Sequence, residues 1–183
     1  MLKNYIAHFC TINKHRWLVF KLCCRAGIPW RGFVHDLSKY SPTEFFESAK
    51  FYQGIKSPIP VARDVQGYSK AWLHHRGKNK HHVEYWHDPE APEQYPIIPY
   101  KYTIEMICDG IAAGLVYKGK DWTPNSQVEY WENKRKIAPA NEKIKDLLAE
   151  VYLQISKQGI NKTITKKNLK ELYYQYCGTN GEK

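Results

Sequence analysis

No stretch of the 183-residue chain approaches the roughly 20 unbroken apolar residues that a helix needs to cross a bilayer. The opening residues, Met1-Leu2-Lys3-Asn4-Tyr5-Ile6-Ala7-His8, place polar groups where the apolar segment of a signal peptide would lie. These absences predict a soluble, cytoplasmic protein with no membrane partner. Cysteine pairs are missing too. Cys10, Cys23, Cys24, Cys108 and Cys177 are odd in number and form no C-x-x-C, which argues against a disulfide frame or zinc finger. Cys10, Cys23 and Cys108 lie in apolar helical stretches and are expected in the core. There is no Gly-rich phosphate loop, no helix-turn-helix signature, no internal repeat and no convincing strand. Acidic residues are scarce: 18 Asp and Glu against 28 Lys and Arg leave a net charge of +10. The imbalance is steepest in residues 1–60, with nine basic and three acidic groups. A surface of that sign favours anionic partners, namely phosphorylated small molecules, nucleic acid or lipid headgroups.

Aromatic residues, by contrast, are plentiful. Six Trp, fourteen Tyr and six Phe supply ample surface to bury and exclude disorder for most of the chain. The apolar periodicity is helical throughout. Tyr5, Phe9, Ile12, Val19, Leu22 and Cys23 recur at three- and four-residue steps until Gly27 and Pro29 end the helix. A short helical piece follows over Trp30–Leu37. Ser41-Pro42-Thr43-Glu44 reads as a capping box opening a helix that runs to about Tyr52, where Gly54 and the Pro58-Ile59-Pro60 turn stop it. The next helix spans Val61–His75 with Val65, Tyr68 and Trp72 inward; Gly77 and Asn79 interrupt it and His81–Trp86 resumes it. Four prolines make 88–99 an extended loop. Tyr102–Tyr117 is helical with Met106, Ile107, Ile111 and Leu115 buried, and Gln127–Asn133 is a short helical candidate within an irregular 118–139. Two amphipathic stripes, Ile144 to Ile155 and Leu169 to Tyr176, are separated by Gly159 and form a hairpin. The expected fold is all-α: a helical core over 1–136, a C-terminal helical hairpin over 137–178 packed on it, and a disordered tail, 179–183.

Chemistry concentrates in the eight histidines and their acidic neighbours. Imidazole and carboxylate together are what a hydrolytic metal site requires. His35-Asp36-Leu37-Ser38-Lys39 sets a histidine beside an aspartate. Two such neighbours reach one ion only where the backbone is irregular or the rotamers suit. His74-His75 and His81-His82 form doublets seven residues apart, and Asp109 lies in an otherwise apolar helix. A buried ionised carboxylate there costs several kcal/mol unless paired or bound to metal. Glu105, one turn earlier, is a candidate for orienting a ligating histidine. Adjacent helical positions point about 100° apart, so one member of each His doublet faces a given site; His75 and His82 are the inward pair. Periodicity leaves His8 and His15 as rivals on nearly the same face of the first helix.

His35-Asp36-Leu37-Ser38-Lys39 resembles the H-D-x-x-K core of the HD-domain metal-dependent phosphohydrolases. The wider text, from Asn13-Lys14-His15-Arg16 to His81-His82, is similar to a group of functionally uncharacterised bacterial and phage proteins. The first resemblance implies an HD-domain-like bundle in which His15, His35, Asp36 and Asp109 bind a divalent metal, with Mn, Fe, Co or Mg favoured over Zn, as one or two ions. It settles His15 over His8. It implies hydrolysis of a phosphorylated small molecule, such as a nucleotide, by a water whose pKa the metal lowers from 15.7 to about 7. Asp36, Lys39, His75 and His82 are then the catalytic set, and Arg76, Lys78 and Lys80 hold the substrate phosphate. A different class of function competes: a basic helical protein binding nucleic acid or nucleotide without catalysis. Trp17, Trp30, Tyr40, Trp72 and Trp86 are its candidate base-stacking rings, although most of these are better explained as core.

Overall fold

The computed structural model describes residues 2–178; the expected tail at 179–183 lies outside them. Ten α-helices make up the described chain: α1 (Leu2–Arg25), α2 (Pro29–Val34), α3 (Pro42–Lys50), α4 (Pro58–Gln66), α5 (Lys70–Lys78), α6 (Tyr100–Tyr117), α7 (Ser126–Arg135), α8 (Glu142–Gln158), α9 (Ile160–Thr163) and α10 (Lys166–Cys177). Short 3₁₀ turns occupy Leu37–Tyr40, Val83–Tyr85 and Gly119–Asp121, and no described residue is in a strand. The fold is all-α, and no described helix is long and apolar enough to cross a membrane.

The centre is α6. Its Ile104, Ile107, Cys108, Ile111 and Ala112 are fully buried. They share one apolar cluster with Val19, Leu22 and Cys23 of α1, Leu147 and Val151 of α8, and Leu169 and Tyr173 of α10. The C-terminal helices therefore close the same core that α1 begins. Each fully buried Ile or Leu there contributes about 1.5–3 kcal/mol. Beside this core α2 packs on α1 so closely that a Cβ at Gly32 would lie 2.6 Å from Cys23 Cβ and 2.9 Å from Phe20 Cα. Glycine at 32 is what permits that approach.

Several local expectations are corrected. The stretch 61–75 is two helices, not one: Gly67 ends α4 at φ +80°, and the Ser69 hydroxyl caps α5 by accepting from the Trp72 N–H. Pro58-Ile59-Pro60 does not form a stopping turn but opens α4, with Ser57 as its N-cap. Val65 and Tyr68 are exposed rather than inward. Helix α5 runs through Gly77 to Lys78, and only the 3₁₀ turn Val83–Tyr85 forms after it. Phe9 and Cys10 face solvent, because α1 carries apolar residues on two faces and only one is covered. Trp17 and Trp30 are exposed as well.

Candidate metal centre

His15 of α1, His35 and Asp36 between α2 and the following turn, His75 of α5, His81 and His82 beyond it, and Asp109 of α6 converge between α1, α5 and α6. The convergence begins at Asp36. It is the one described non-glycine residue with positive φ (φ 53°, ψ 27°), and His35 before it is extended (φ −52°, ψ 129°). A left-handed residue costs an L-amino acid about 1–2 kcal/mol. Here it breaks the helical progression so that two successive side chains turn to one point, His35 Nε2 lying 3.2 Å from Asp36 Oδ2.

Around Asp36 the ligand atoms form two groups. His15, His35, Asp36 and Asp109 place one donor atom each within 4.8 Å of one another, and so do Asp36, His75, His81 and His82. In the first, His15 Nε2 is 3.0 Å from Asp109 Oδ1 and 3.4 Å from His35 Nε2, and His35 Nε2 is 3.5 Å from Asp109 Oδ1. In the second, His75 Nε2 and His81 Nε2 both lie 3.4 Å from Asp36 Oδ1. The two oxygens of Asp36 thus face different groups. Donors bonded to one cation at about 2.1 Å must lie roughly 3–3.5 Å apart; the distances above fall in that range, and His15 Nε2 to Asp36 Oδ2 is longer at 3.8 Å.

The histidines are set by carboxylates behind them. Glu105 Oε1 lies 3.0 Å from His35 Nδ1 and 3.3 Å from His81 Nδ1, while its Oε2 accepts from Arg31 at 2.7 Å. Glu44 Oε2 lies 2.7 Å from His75 Nδ1, and its Oε1 the same distance from His74 Nδ1. The hydrogen-bonded carboxylates engage Nδ1 of His35 and His75 and turn their Nε2 toward Asp36, while His81 Nδ1 stands near Glu105 without hydrogen-bond alignment. The capping-box reading of Glu44 is therefore corrected. Ser41 does cap α3, but its own N–H goes to the Ser38 carbonyl and Glu44 turns to the histidines.

Charge follows from this packing. Burial alone would raise the carboxyl of Asp36, yet His35, Lys39 and His75 hold it well below the usual range. Asp109 is likewise held low by His15 and His35 against its burial, and Glu105 falls to about 2 through the neighbouring His35, His81 and Arg31. Burial and the Lys39 charge lower His15; burial with His81 and His75 alongside lowers His82 further. Burial works against the charged form of His35, yet Asp36, Asp109 and Glu105 raise it well above its ordinary value; a divalent cation would replace that proton between the same carboxylates. Asp36 Oδ1, Asp36 Oδ2, His81 Nε2 and His82 Nε2 are moreover buried without hydrogen-bond partners. Lys39 Nζ approaches Asp36 Oδ2 to 2.6 Å as an ion pair, outside hydrogen-bond alignment. Each orphaned buried group costs about 1–3 kcal/mol, a cost that ions held in the two groups would remove.

The site opens on a cavity of about 180 Å³ bounded by His8, Ile12, Lys39, Trp72, Asp109 and Tyr117, among others. Asp109, with a fifth of its side chain exposed, is the most open of the acids at the centre. His8 borders this cavity but lies outside both ligand groups, whereas His15 lies within one. His75 and His82 do both face Asp36, but not by stacking on a continuous helix: α5 ends at Lys78, and extended backbone at Asn79 and His82 brings His81 in beside them. Arg76, Lys78 and Lys80 are not among the cavity residues; Lys80 instead lies over the Tyr85 and Tyr102 rings. Sequence reasoning passed over His81, whose doublet partner was preferred on helical geometry, and Glu44, whose capping role already accounted for it.

Neither the curated proteins nor the solved structures gave a match to this chain. A family model does match, across residues 4–154, a span holding every residue of the centre. The chain accordingly belongs to that family, described as a family of unknown function (DUF5662).

Proposed function

We propose that the protein is a metal-dependent phosphohydrolase of the HD-domain type that its sequence resembles, with a two-ion centre bridged by Asp36. The observation that carries this reading is the pair of ligand groups sharing Asp36, one at each carboxylate oxygen. Imidazoles mixed with carboxylates, with room left on the cavity side, suit Mn²⁺, Fe²⁺, Co²⁺ or Mg²⁺ better than Zn²⁺. Such ions supply an activated water at neutral pH and neutralise charge on a phosphoryl group.

The chain's own groups do the rest. Glu105 and Glu44 hold His35 and His75 in orientation through their Nδ1 atoms, and Glu105 places its charge 3.3 Å from His81 Nδ1. Lys39, from the 3₁₀ turn after Asp36, brings a positive charge to the cavity wall, where phosphoryl oxygens would sit. It is the only lysine or arginine among the cavity residues. The far wall is apolar, with Ile12, Pro58, Ile59 and Trp72. Prolines at 58 and 60 also strip backbone N–H donors from the α4 N-terminus beside it. A single lysine and an apolar wall favour a phosphate monoester with a compact uncharged body, such as a nucleoside monophosphate, over a polyphosphate. Five free cysteines, three of them buried, agree with a reducing, cytoplasmic setting.

Elemental mass spectrometry on chelator-free, untagged protein tests the reading. Two equivalents of Mn, Fe or Co are expected, and Asp36→Asn, a side chain that tolerates the left-handed backbone, should lose both while remaining folded by circular dichroism. Phosphate release from nucleoside monophosphates should disappear with them. A wild-type protein that takes up no added Mn²⁺ refutes it.

A further inference from the structure

Part of the second apolar face of α1 stays open beside α2. Trp17 is 58% exposed, and across from it on α2 stand Phe33 at 59% and Trp30 at 69%. Between the two helices runs a groove of about 420 Å³ lined by Asn13, Arg16, Trp17, Phe20, Gly32 and Phe33. The rings stand in near-parallel pairs: Trp17 with Phe20 (5.7 Å, 27°) and Trp30 with Phe33 (5.6 Å, 28°). They form a platform of aromatic faces along a trough with glycine at its floor.

The chain segment that builds the groove is basic, with nine Lys and Arg against three acids over residues 1–60. All three acids are engaged elsewhere. Asp36 and Glu44 serve the metal centre, and Glu47 accepts from the Ser69 hydroxyl and the N–H groups of Lys70 and Ala71 at the start of α5. Lys14 and Lys21 meanwhile lie exposed on the Trp17 side of α1, three residues before and four after that ring, with Lys21 Nζ 5.9 Å from it; Arg25, a turn further on, donates instead to the Asn161 carbonyl. Arg16 is not free for a ligand. Its guanidinium donates to the His35 and Phe33 carbonyls and to the Tyr40 hydroxyl, which fixes the groove wall.

We propose that the α1–α2 groove binds single-stranded nucleic acid, with bases stacking on Trp17, Phe33 and Trp30 and phosphates meeting Lys14 and Lys21 at its rim. Exposed rings flanked by cations are the combination that sequence-tolerant strand binding uses. A second copy of the chain would set lysine against lysine with no carboxylate of this segment to offset them. A concave trough suits a strand better than a flat layer of lipid headgroups. The assignment is independent of the metal centre, which α1 faces with its opposite side.

Fluorescence polarisation with labelled oligo(dT) and oligo(rU) 20-mers tests it on the full chain. Two phosphate contacts predict an affinity that falls about sevenfold between 50 and 200 mM salt. Trp17→Ala and Phe33→Ala should each weaken binding at least about fivefold without shifting the melting temperature, since both rings are more than half exposed. Asp36→Asn should bind as the wild type does. Absent binding at 50 mM salt overturns the proposal, and so does full affinity in the Trp17→Ala/Phe33→Ala double variant. Sedimentation with phosphatidylserine vesicles but no oligonucleotide binding would assign the groove to membranes instead. Ring-dependent dimerisation without oligonucleotide binding would assign it to a second copy.

Discussion

Glu105 touches both halves of the centre, and Glu44 touches one. Glu105 Oε1 sits 3.0 Å from His35 Nδ1, in the first ligand group, and 3.3 Å from His81 Nδ1, in the second. Glu44 reaches only His75 of the second group; its other oxygen meets His74, which belongs to neither. In Glu105→Gln one carbonyl oxygen remains, and an NH₂ must face either Arg31 or the imidazoles, all of which present donors. Removing a carboxylate behind a ligating histidine lowers metal affinity about 10- to 100-fold. Glu105→Gln should therefore weaken both Mn²⁺ constants by that factor. Glu44→Gln should weaken one and leave the other within about twofold. Breaking a buried ion pair costs about 3–5 kcal/mol. Arg31, with 24% of its side chain exposed, can turn to water, so the metal-free Glu105→Gln protein should lose stability near the lower end. Mn²⁺ titration followed by electron paramagnetic resonance of the free ion reads both constants, with circular dichroism confirming folding. Equal losses in the two variants, or wild-type constants in Glu105→Gln, would show that these carboxylates do not orient ligands as described.

Three further outcomes are expected. Burial and the nearby Lys39 lower His8 to about 4 from 6.5, so the unfolded chain binds more protons between those values; stability is complete above pH 6.5 and declines as pH falls to 4. After discounting for the open cavity beside the ring, the loss is about 2 kcal/mol, and it should vanish from urea melts of His8→Phe. Gly32→Ala forces a methyl to 2.6 Å from Cys23 Cβ; overpacking of that kind costs about 1–3 kcal/mol, visible as a lower urea midpoint, with a wild-type midpoint refuting the close approach. Ile111→Ala, in the fully buried centre of α6, should cost about 2–5 kcal/mol while the Mn²⁺ constants stay put, separating core from site.

Legibility in the sequence depended on how many explanations a residue admitted. Helices α8 and α10 bury one face each, so their stripes were readable: Ile144, Leu147, Leu148, Val151 and Ile155 are all interior. Helix α1 has two apolar faces, and periodicity could not tell which one would be covered, so Phe9 and Cys10 were assigned inward. The break between α4 and α5 was written in Gly67 and Ser69, but an apolar spacing that spanned both hid it. At the site, His35 and Asp36 stood out through adjacency, and Asp109 through its apolar surroundings. Glu44 did not, because a helix cap sufficed to explain it. His81 was discarded by a rule for continuous helices that does not apply to extended backbone. The left-handed turn at Asp36 has no signature in the residue alone, since aspartate adopts it only where its surroundings hold it there.

The donors around Asp36 come from distant parts of the chain, from His15 in the first helix to Asp109 in the sixth, and all five cysteines are free. No covalent bridge secures that arrangement. A cation seated between His15 and Asp109 would close a loop spanning half the polypeptide, a constraint whose entropic benefit grows slowly with length and is already large at this size. It would act as a removable staple, comparable in kind to a disulfide. Chelation would then do more than silence chemistry: it would release α1 from α6 at the cavity edge and admit solvent to the buried carboxylates, loosening the wall on which any substrate must rest.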